Sequence, residues 1–180
     1  MGGCSPAPTH RPLADKILLV GMMGAGKSTV GLALAQHLGW PFVDSDEQVM
    51  RRTGRTVPQL FAEAGESAFR AEEKAALLEA VTAEGPAVVS VAGGAVLDAG
   101  NRAVLRDGGR VVWLRAPVAT LAERVGAGEG RPLLGDDPAS ALGRIYEERR
   151  PLYDELADIV VDVAQLSPVE AVEEILEALT

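Results

Sequence analysis

A glycine-rich loop near the N-terminus carries the residue types that bind a nucleoside triphosphate. It runs from Gly21 to Thr29, with the sequence GMMGAGKST, and directly follows the apolar run Ile17–Val20. Glycines after a strand let backbone N–H groups converge on phosphate oxygens, and a helix that begins there adds its positive dipole end. A chance glycine turn beside a lysine is the alternative, but the flanking strand and helix patterns favour a loop that binds the phosphates of a nucleoside triphosphate.

The side chains of this loop have separate expected roles. Lys27 can reach the β- and γ-phosphates as a compact charge, and the Ser28 hydroxyl can coordinate Mg²⁺. Thr29 is expected mainly to build the following helix. The chain has three lysines against fourteen arginines, and one of the three occupies the lysine position of the loop. The loop residues predicted to bind the nucleotide are Gly24, Ala25, Gly26, Lys27, Ser28 and Thr29.

The composition indicates one globular domain. The chain has 180 residues, of which 47% are hydrophobic and 24% charged, and a formal net charge of −9. This length supports a single hydrophobic core, so we expect one domain over residues 15–180 after a flexible tail of residues 1–14. An acidic chain does not offer the basic surface that nucleic acids require, and any anion site must therefore be local.

Cysteine use and hydropathy bear on the cellular location. Cys4 is the only cysteine, which excludes an internal disulfide and a cysteine-based metal site. No apolar run approaches membrane-spanning length, and residues 1–15 lack the apolar core of a signal peptide. We therefore expect a cytoplasmic protein with no membrane partner.

Short β-branched runs alternate with longer helical patterns along the rest of the chain. This alternation is typical of a parallel α/β sheet, and because the runs are continuously apolar, we expect both faces of every strand to be covered. Thr56 and Ser167, each followed three residues later by Gln or Glu, mark two helix starts. The five predicted strands are Ile17–Val20, Phe42–Val43, Val88–Val91, Val111–Leu114 and Ile159–Val163.

Two aspartates, Asp44 and Asp46, follow the second predicted strand. Ligands of parallel sheets bind at the carboxyl ends of the strands, so these side chains are expected near the phosphate loop. One carboxylate could face Mg²⁺ through water and the other an acceptor hydroxyl. Helix capping is the structural alternative, and it would be favoured if the phosphate loop were absent.

A glycine pair and several arginines could form the rest of the site. Gly93-Gly94 follows the third predicted strand and would let the backbone approach a ligand closely, although a turn with positive φ would need the same glycines. A polar acceptor with a carboxylate would call for planar guanidinium groups. The arginines available are Arg70, Arg131, Arg149 and Arg150.

Structural alternatives differ among these arginines. Arg70 could form a helical ion pair with Glu66, and Arg149 with Arg150 could be solvated at a helix end. Arg131 has fewer alternatives, because it lies in the glycine- and proline-rich segment 126–138. Such a segment is a candidate for a mobile loop.

These motifs resemble those of shikimate kinases over essentially everything from Lys16 to the C-terminus. Many NTPases share the phosphate loop, whereas the combination of elements is narrow. The segments that carry the resemblance are Gly21 to Thr29, Asp44-Ser45-Asp46, Gly65-Glu66 with Phe69-Arg70, Gly93-Gly94-Ala95-Val96, Arg131-Pro132-Leu133-Leu134 and Arg149-Arg150-Pro151-Leu152-Tyr153.

The resemblance implies a three-layer P-loop kinase fold similar to that of nucleoside monophosphate kinases. In such a fold, a five-stranded parallel sheet is flanked by helices, and a mobile lid, here residues 126–138, covers the active site. The implied reaction is transfer of the γ-phosphoryl group of ATP, with Mg²⁺, to the 3-hydroxyl of shikimate in aromatic amino-acid biosynthesis. The resemblance also suggests a monomer.

The resemblance further implies a role for each matching residue. Asp46 would bind and activate the hydroxyl, and Arg70 with Arg149 would bind the shikimate carboxylate. Gly93 and Gly94 would contact the ring through backbone groups. The remaining implied roles are Arg131 on the transferring phosphoryl group, Asp44 on Mg²⁺ through water, and Arg124 with Pro168 beside the adenine.

The chain departs from the family pattern at Ala92, where the family usually has the first of three glycines. If this position needed a positive φ, alanine would cost about 1 kcal/mol or more. We expect a strand-like Ala92 instead, so that the departure affects only the fine geometry of backbone contacts.

Three other functions fit parts of the sequence. The nearest is another small-molecule kinase of this architecture, such as a gluconate or nucleotide kinase. The second is a P-loop switch or binding module that uses ATP or GTP for regulation. A guanine-specific switch would need an Asn-Lys-x-Asp base reader, but the only asparagine, Asn101, is followed by Arg102. A kinase-like protein without activity is the third, and the retained lysine, aspartate and arginine positions argue against it.

Overall fold

Residues 15–126, 134 and 137–180 are described by the computed structural model. Within these ranges the chain forms five β-strands, seven α-helices and a 3₁₀ turn at Ala95–Leu97. The strands are β1 (Lys16–Val20), β2 (Phe42–Asp44), β3 (Ala87–Ser90), β4 (Arg110–Arg115) and β5 (Ile159–Asp162). The helices are α1 (Lys27–Leu38), α2 (Ser45–Thr53), α3 (Val57–Thr82), α4 (Ala99–Gly108), α5 (Val118–Val125), α6 (Pro138–Leu156) and α7 (Pro168–Leu179).

All five strands lie in one parallel sheet with the order β2-β3-β1-β4-β5. Parallel neighbours need crossover connections, which the helices supply. Helix α1 packs on β3 and α7, whereas α4 and α6 pack on β4. The predicted α/β fold is therefore confirmed, and each observed strand end lies within one residue of its predicted position.

The central strand β1 separates the two halves of the sheet. The chain adds β2 and β3 on one side of β1 and then β4 and β5 on the other. Where the winding direction reverses, a crevice opens beyond the carboxyl ends of the strands. The glycine-rich loop between β1 and α1 lies at this crevice.

The prediction that every strand is covered on both faces is correct for the interior of the sheet and wrong at its edges. All residues of β1 and β3 are buried, whereas β2 is partly buried. Residues of β5 alternate toward solvent, and Val160 is 41% exposed. An edge strand has a single pairing neighbour, so one flank lacks the cover that interior strands receive.

The predicted helix starts at Thr56 and Ser167 are confirmed, and both form complete capping boxes. Helix α3 is interrupted at Gly65, where φ is 82° and ψ is 174°. Ala92 has no positive φ, as expected. It lies beyond β3, however, and not in the strand itself.

Two predictions concern residues that lie largely or wholly outside the described ranges. The tail 1–14, with Cys4, is one of them. The segment 126–138 is the other, because only residues 126, 134, 137 and 138 of it are described, and Arg131 falls outside. Among the described residues, no helix has both the length and the apolar character to cross a bilayer.

Substitution of Gly31 by alanine should destabilise the fold, although alanine normally favours a helix. A Cβ atom at Gly31 in α1 would lie 2.6 Å from Phe42 Cε2 and 3.0 Å from Leu19 Cδ1. Overpacking of this kind costs about 1–3 kcal/mol, which outweighs a helix-propensity gain of about 1 kcal/mol. Urea unfolding followed by circular dichroism should give a lower midpoint for Gly31→Ala.

Gly143→Ala is the matched control. Gly143 lies in α6, and no described heavy atom lies within 4 Å of a Cβ built there. The gain in helix propensity should therefore raise the free energy of unfolding by about 0.5–1 kcal/mol and move the urea midpoint upward. Equal shifts in the two variants would contradict the close packing of α1 against β1 and β2.

Candidate active site

A cavity of about 670 Å³ lies at the carboxyl ends of β2 and β3, beside the glycine-rich loop. Most of the predicted site residues line it, and their side chains come from six separate elements. They are Gly24, Gly26, Lys27, Ser28, Thr29, Asp44, Asp46, Arg70, Gly93, Gly94, Arg124 and Arg149. Ala25 is buried, and Pro168 is exposed and does not line the cavity.

The loop after β1 has the backbone geometry of an anion-binding loop. Gly26, the N-cap of α1, has φ 88° and ψ 19°, which favours glycine, and no described side chain caps the first turn. The N–H groups of that turn are therefore directed to an external acceptor. Lys27 Nζ lies across the loop and donates to the carbonyl oxygens of Gly21 at 2.9 Å and Met22 at 3.1 Å.

Both carboxylate oxygens of Asp44 accept hydrogen bonds. Its Oδ1 accepts a hydrogen bond from the Asp46 N–H at 3.0 Å, which caps α2. Its Oδ2 accepts a hydrogen bond from Ser28 Oγ at 2.8 Å, which joins the end of β2 to the first turn of α1. The capping interpretation is thus correct, and it is compatible with a place in the cavity.

Asp46 lies partly buried in the same cavity. Burial raises the pKa of its carboxyl group, and the negative charge of Asp44 raises it further. The positive charges of Lys27 and Arg70 act in the opposite direction. Asp46 is therefore within electrostatic range of both the loop lysine and an arginine of α3.

Arg70 is held by two carboxylates of its own helix. Its Nη1 donates to both carboxylate oxygens of Glu73, at 2.9 and 2.8 Å, and its Nη2 lies 3.3 Å from Glu66 Oε1. The predicted alternative of a pair with Glu66 is confirmed, but the contact with Glu73 is the shorter one. The guanidinium group is thus fixed while it lines the cavity.

Glu73 is a site residue that the sequence analysis missed. It is 2% exposed and lines the cavity. Burial raises the pKa of its carboxyl group, and the charge and hydrogen bonds of Arg70 lower it. The spacing of three residues from Arg70 was the available signal, but Glu73 stands in a run of charged residues whose burial no sequence pattern indicates.

The position of Arg149 differs from the interpretation of this residue as solvated at a helix end. It lies inside α6, not at a helix end, and it is 3% exposed, so the solvated alternative is wrong for this residue. Its Nε is buried without a hydrogen-bond partner among the described residues. Arg150 is exposed, which agrees with the solvated interpretation for that residue.

The glycine pair after β3 is required because arginine side chains lie close to its backbone, and not because its backbone has a positive φ. Neither Gly93 nor Gly94 has a positive φ, so the turn alternative is wrong. A Cβ atom at Gly94 would lie 2.7 Å from Arg70 Cζ. The nearby Ala92 N–H donates to the buried Ser45 Oγ at 2.9 Å, which ties the end of β3 to the start of α2.

Arg124 lines the cavity, whereas Pro168 lies outside its lining. Arg124 Nη2 donates to the Val163 carbonyl oxygen at 2.8 Å, and its Nη1 lies 3.5 Å from the Gly24 carbonyl oxygen. The guanidinium group therefore joins α5, the loop after β5 and the phosphate loop. Pro168 occupies the first turn of α7, where the Ser167 capping box holds it.

Ser28 and Asp44 provide oxygen donors that suit Mg²⁺. Their hydrogen bond of 2.8 Å brings a hydroxyl and a carboxylate oxygen to one point at the edge of the phosphate loop. Mg²⁺ typically takes one or two protein oxygens and completes its shell with phosphates and water. Within the described ranges no group of three or more histidine, cysteine, aspartate or glutamate side chains could form a larger metal site.

Comparisons with known proteins agree with this geometry. A family model for shikimate kinase matches residues 23–180. A shikimate kinase of Thermobifida fusca is 45% identical over 171 residues, which cover 95% of this chain and 96% of that protein. A structure of the Acinetobacter baumannii shikimate kinase in complex with shikimate has a TM-score of 0.88 at 38% identity and covers 96% of both chains.

A more distant structure bears on the alternative of a gluconate kinase. A gluconokinase from Sinorhizobium meliloti has a TM-score of 0.66 at 27% identity, and the match covers 94% of this chain and 93% of that chain. The fold is therefore shared, whereas the sequence similarity is weaker than for the two shikimate kinases. The family model covers most of the chain, including the two aspartates after the second predicted strand, the glycine pair, Arg70 and Arg149. The chain therefore belongs to the shikimate kinase family.

Proposed function

We propose that this chain transfers the γ-phosphoryl group of ATP to the 3-hydroxyl of shikimate, with the residue roles given below. One observation carries the proposal: Asp46 shares a cavity with Lys27 and Arg70 and is within electrostatic range of both. From this position the Asp46 carboxylate can face Lys27, which binds phosphate, on one side and Arg70, which binds the acid substrate, on the other. The shikimate in the A. baumannii structure supports the choice of acceptor.

The phosphate half of the site consists of the loop after β1. Its backbone N–H groups and Lys27 Nζ bind the β- and γ-phosphates, and the transfer needs little more than positioning and charge stabilisation. Ser28 directly and Asp44 through water would hold Mg²⁺, which would neutralise phosphate charge when bound. Thr29 lies beside them at the cavity wall. Arg124 and Pro168 border the adenine.

The acceptor half consists of Asp46 and the two arginines of α3 and α6. Asp46 accepts a hydrogen bond from the substrate hydroxyl and takes its proton as the phosphoryl group is transferred. Arg70 and Arg149 bind the shikimate carboxylate, since planar guanidinium groups match a carboxylate in a bidentate way. Gly93 and Gly94 present their backbone to the ring because no side chain intervenes.

The lid, the domain boundaries and the assembly complete the proposal. Residues 126–138 close over the substrates, so that Arg131 reaches the transferring phosphoryl group and water is excluded. The functional domain spans residues 15–180, and the tail 1–14 lies outside it. The monomeric state and the cytoplasmic location stay predictions.

An acceptor panel tests the reaction directly. Shikimate, quinate, gluconate and nucleoside monophosphates are compared with Mg-ATP in a coupled assay of ADP release. Shikimate should stimulate ADP release by about 10²-fold or more over the rate without acceptor, because the arginine pair selects a carboxylated ring and the lid suppresses hydrolysis. Stimulation by gluconate or a nucleotide, with none by shikimate, would contradict the proposal.

Asp46→Asn tests the proposed proton acceptor. The amide keeps the size of the side chain but cannot take a proton, so kcat should fall by about 10²-fold or more. Binding of ATP, measured by calorimetry, should be retained. Glu47→Gln is the matched control, because Glu47 is exposed and pairs with Arg51 on the surface of α2. Its kcat should be that of the wild type. Normal turnover of Asp46→Asn would remove Asp46 from the chemistry.

Arg70→Ala tests the carboxylate contact. Loss of the guanidinium group should raise KM for shikimate by about 10²-fold, a typical value for a charged hydrogen bond, and leave KM for ATP nearly unchanged. Steady-state kinetics with each substrate varied in turn separates the two constants. Arg106→Ala is the control, since Arg106 forms an exposed ion pair with Glu155. An effect of Arg70→Ala confined to ATP would oppose the assignment.

A further inference from the structure

Tyr153 of α6 is a buried residue to which the proposed reaction assigns no role. Its side chain is 0% exposed, and its ring lies 5.7 Å from that of Trp113, centroid to centroid. The hydroxyl donates a hydrogen bond to the Gly93 carbonyl oxygen at 2.8 Å. The one polar atom of this side chain is therefore directed at the glycine pair that follows β3.

Arg149 lies four residues before Tyr153, so both side chains project from one face of α6. Arg149 Nη1 lies 3.1 Å, and the Tyr153 hydroxyl oxygen 3.5 Å, from the position that a Cβ atom at Gly93 would take. Burial raises the pKa of Tyr153 to about 12, and the positive charge of Arg149 acts in the opposite direction. The phenol, the guanidinium group and the Gly93 backbone thus form one cluster.

The chemistry of these groups allows hydrogen bonds in this cluster to be donated in one direction only. A guanidinium group can only donate, and a carbonyl oxygen can only accept. The single proton of the phenol is therefore used on Gly93, and its lone pairs are left to accept from a donor such as the nearby Arg149 guanidinium group. Because the phenol interacts with both groups in a buried setting, it can couple the orientation of Arg149 to that of Gly93.

The same hydroxyl is only weakly connected to the phosphate loop. Met22 Sδ lies 4.0 Å from it, much farther than the Gly93 oxygen. Sulfur is also the weaker acceptor. Removal of the hydroxyl should therefore affect the acceptor half of the cavity far more than the nucleotide half.

We propose that Tyr153 is a positioning residue for the acid substrate. Its hydroxyl sets the Arg149 guanidinium group and the Gly93 backbone at the separation at which both contact the acceptor. Tyr153 itself does not line the cavity and does not touch the substrate. This inference rests on the proposed function, in which Arg149 and Gly93 bind shikimate.

Tyr153→Phe keeps the ring beside Trp113 and removes only the hydroxyl. KM for shikimate should rise by about 10-fold, because Arg149 and the Gly93 carbonyl lose their common partner. The kcat and KM for ATP should stay within about twofold of the wild type. Unchanged KM for shikimate, with a lower melting temperature and a lower kcat, would indicate a purely structural role and overturn the proposal.

Tyr146→Phe is the matched control. It is the only other tyrosine of the chain and lies on the same helix. It does not line the substrate cavity. Its kinetic constants should equal those of the wild type, and a similar rise in KM for shikimate would mean that any loss of a hydroxyl from α6 has this effect, which would overturn the proposal.

A double-mutant cycle tests whether Tyr153 acts through Arg149. Arg149→Ala alone should raise KM for shikimate strongly, and Tyr153→Phe added to it should raise KM by clearly less than the rise of about 10-fold expected in the wild-type background, because only the effect through Gly93 is left. Non-additivity of this kind is expected for residues that work as one unit. Additive effects would show that the two side chains act independently and would overturn the proposal.

A fluorine label keeps the proposal testable if Tyr153→Phe does not fold. The Tyr146→Phe chain grown with 3-fluorotyrosine carries one label, at position 153. Its ¹⁹F resonance should shift when shikimate is added and respond less to ADP; the opposite order would overturn the proposal. If wild-type protein does not phosphorylate shikimate in the acceptor panel, the proposed function fails, and the KM comparison is made with the acceptor that it does use.

Discussion

Three cations of the cavity, Lys27, Arg70 and Arg124, lie against fixed acceptors, and the arrangement of the site depends on these pairings. Lys27 lies on two carbonyl oxygens of its own loop, and Arg70 lies on the buried carboxylate of Glu73. Long cationic side chains lose about 1.5–2 kcal/mol of rotamer entropy when they are fixed. Because the pairings fix them during folding, less of this entropy is lost when a ligand binds. An acidic chain can thus present a local, oriented cationic site.

The sheet topology determines which of these groups meet. The loop after β1, the aspartates at the end of β2 and the glycine pair after β3 all lie at one edge because the three strands are parallel neighbours. Two hydrogen bonds join these loops across the edge, from Ser28 to Asp44 and from the Ala92 N–H to Ser45. The relative positions of the phosphate half and the acceptor half are therefore set by backbone that the sheet holds rigid.

Local patterns sufficed to predict the strands, the capping boxes and the residues around the phosphate loop, because each depends on neighbours in sequence. Properties that depend on packing between distant elements were not accessible in this way. In the sequence Glu73 cannot be distinguished from other charged helix residues, because its burial and its interactions with Arg70 and Arg149 arise only from packing. The partial exposure of β5 follows from its place at the edge of the sheet. The glycine pair was ambiguous for the same reason, since the guanidinium group of Arg70 that requires Gly94 belongs to another helix.

Ala92 has a consequence for the denatured chain. Its φ lies in the region open to all residues, so its methyl group introduces no backbone strain where the family usually has glycine. An alanine nevertheless restricts the disordered polypeptide more than a glycine does, and at a compatible position this difference favours the native state by about 0.4–1 kcal/mol. The substitution thus lowers the entropy gained on unfolding while the backbone N–H still bonds to Ser45.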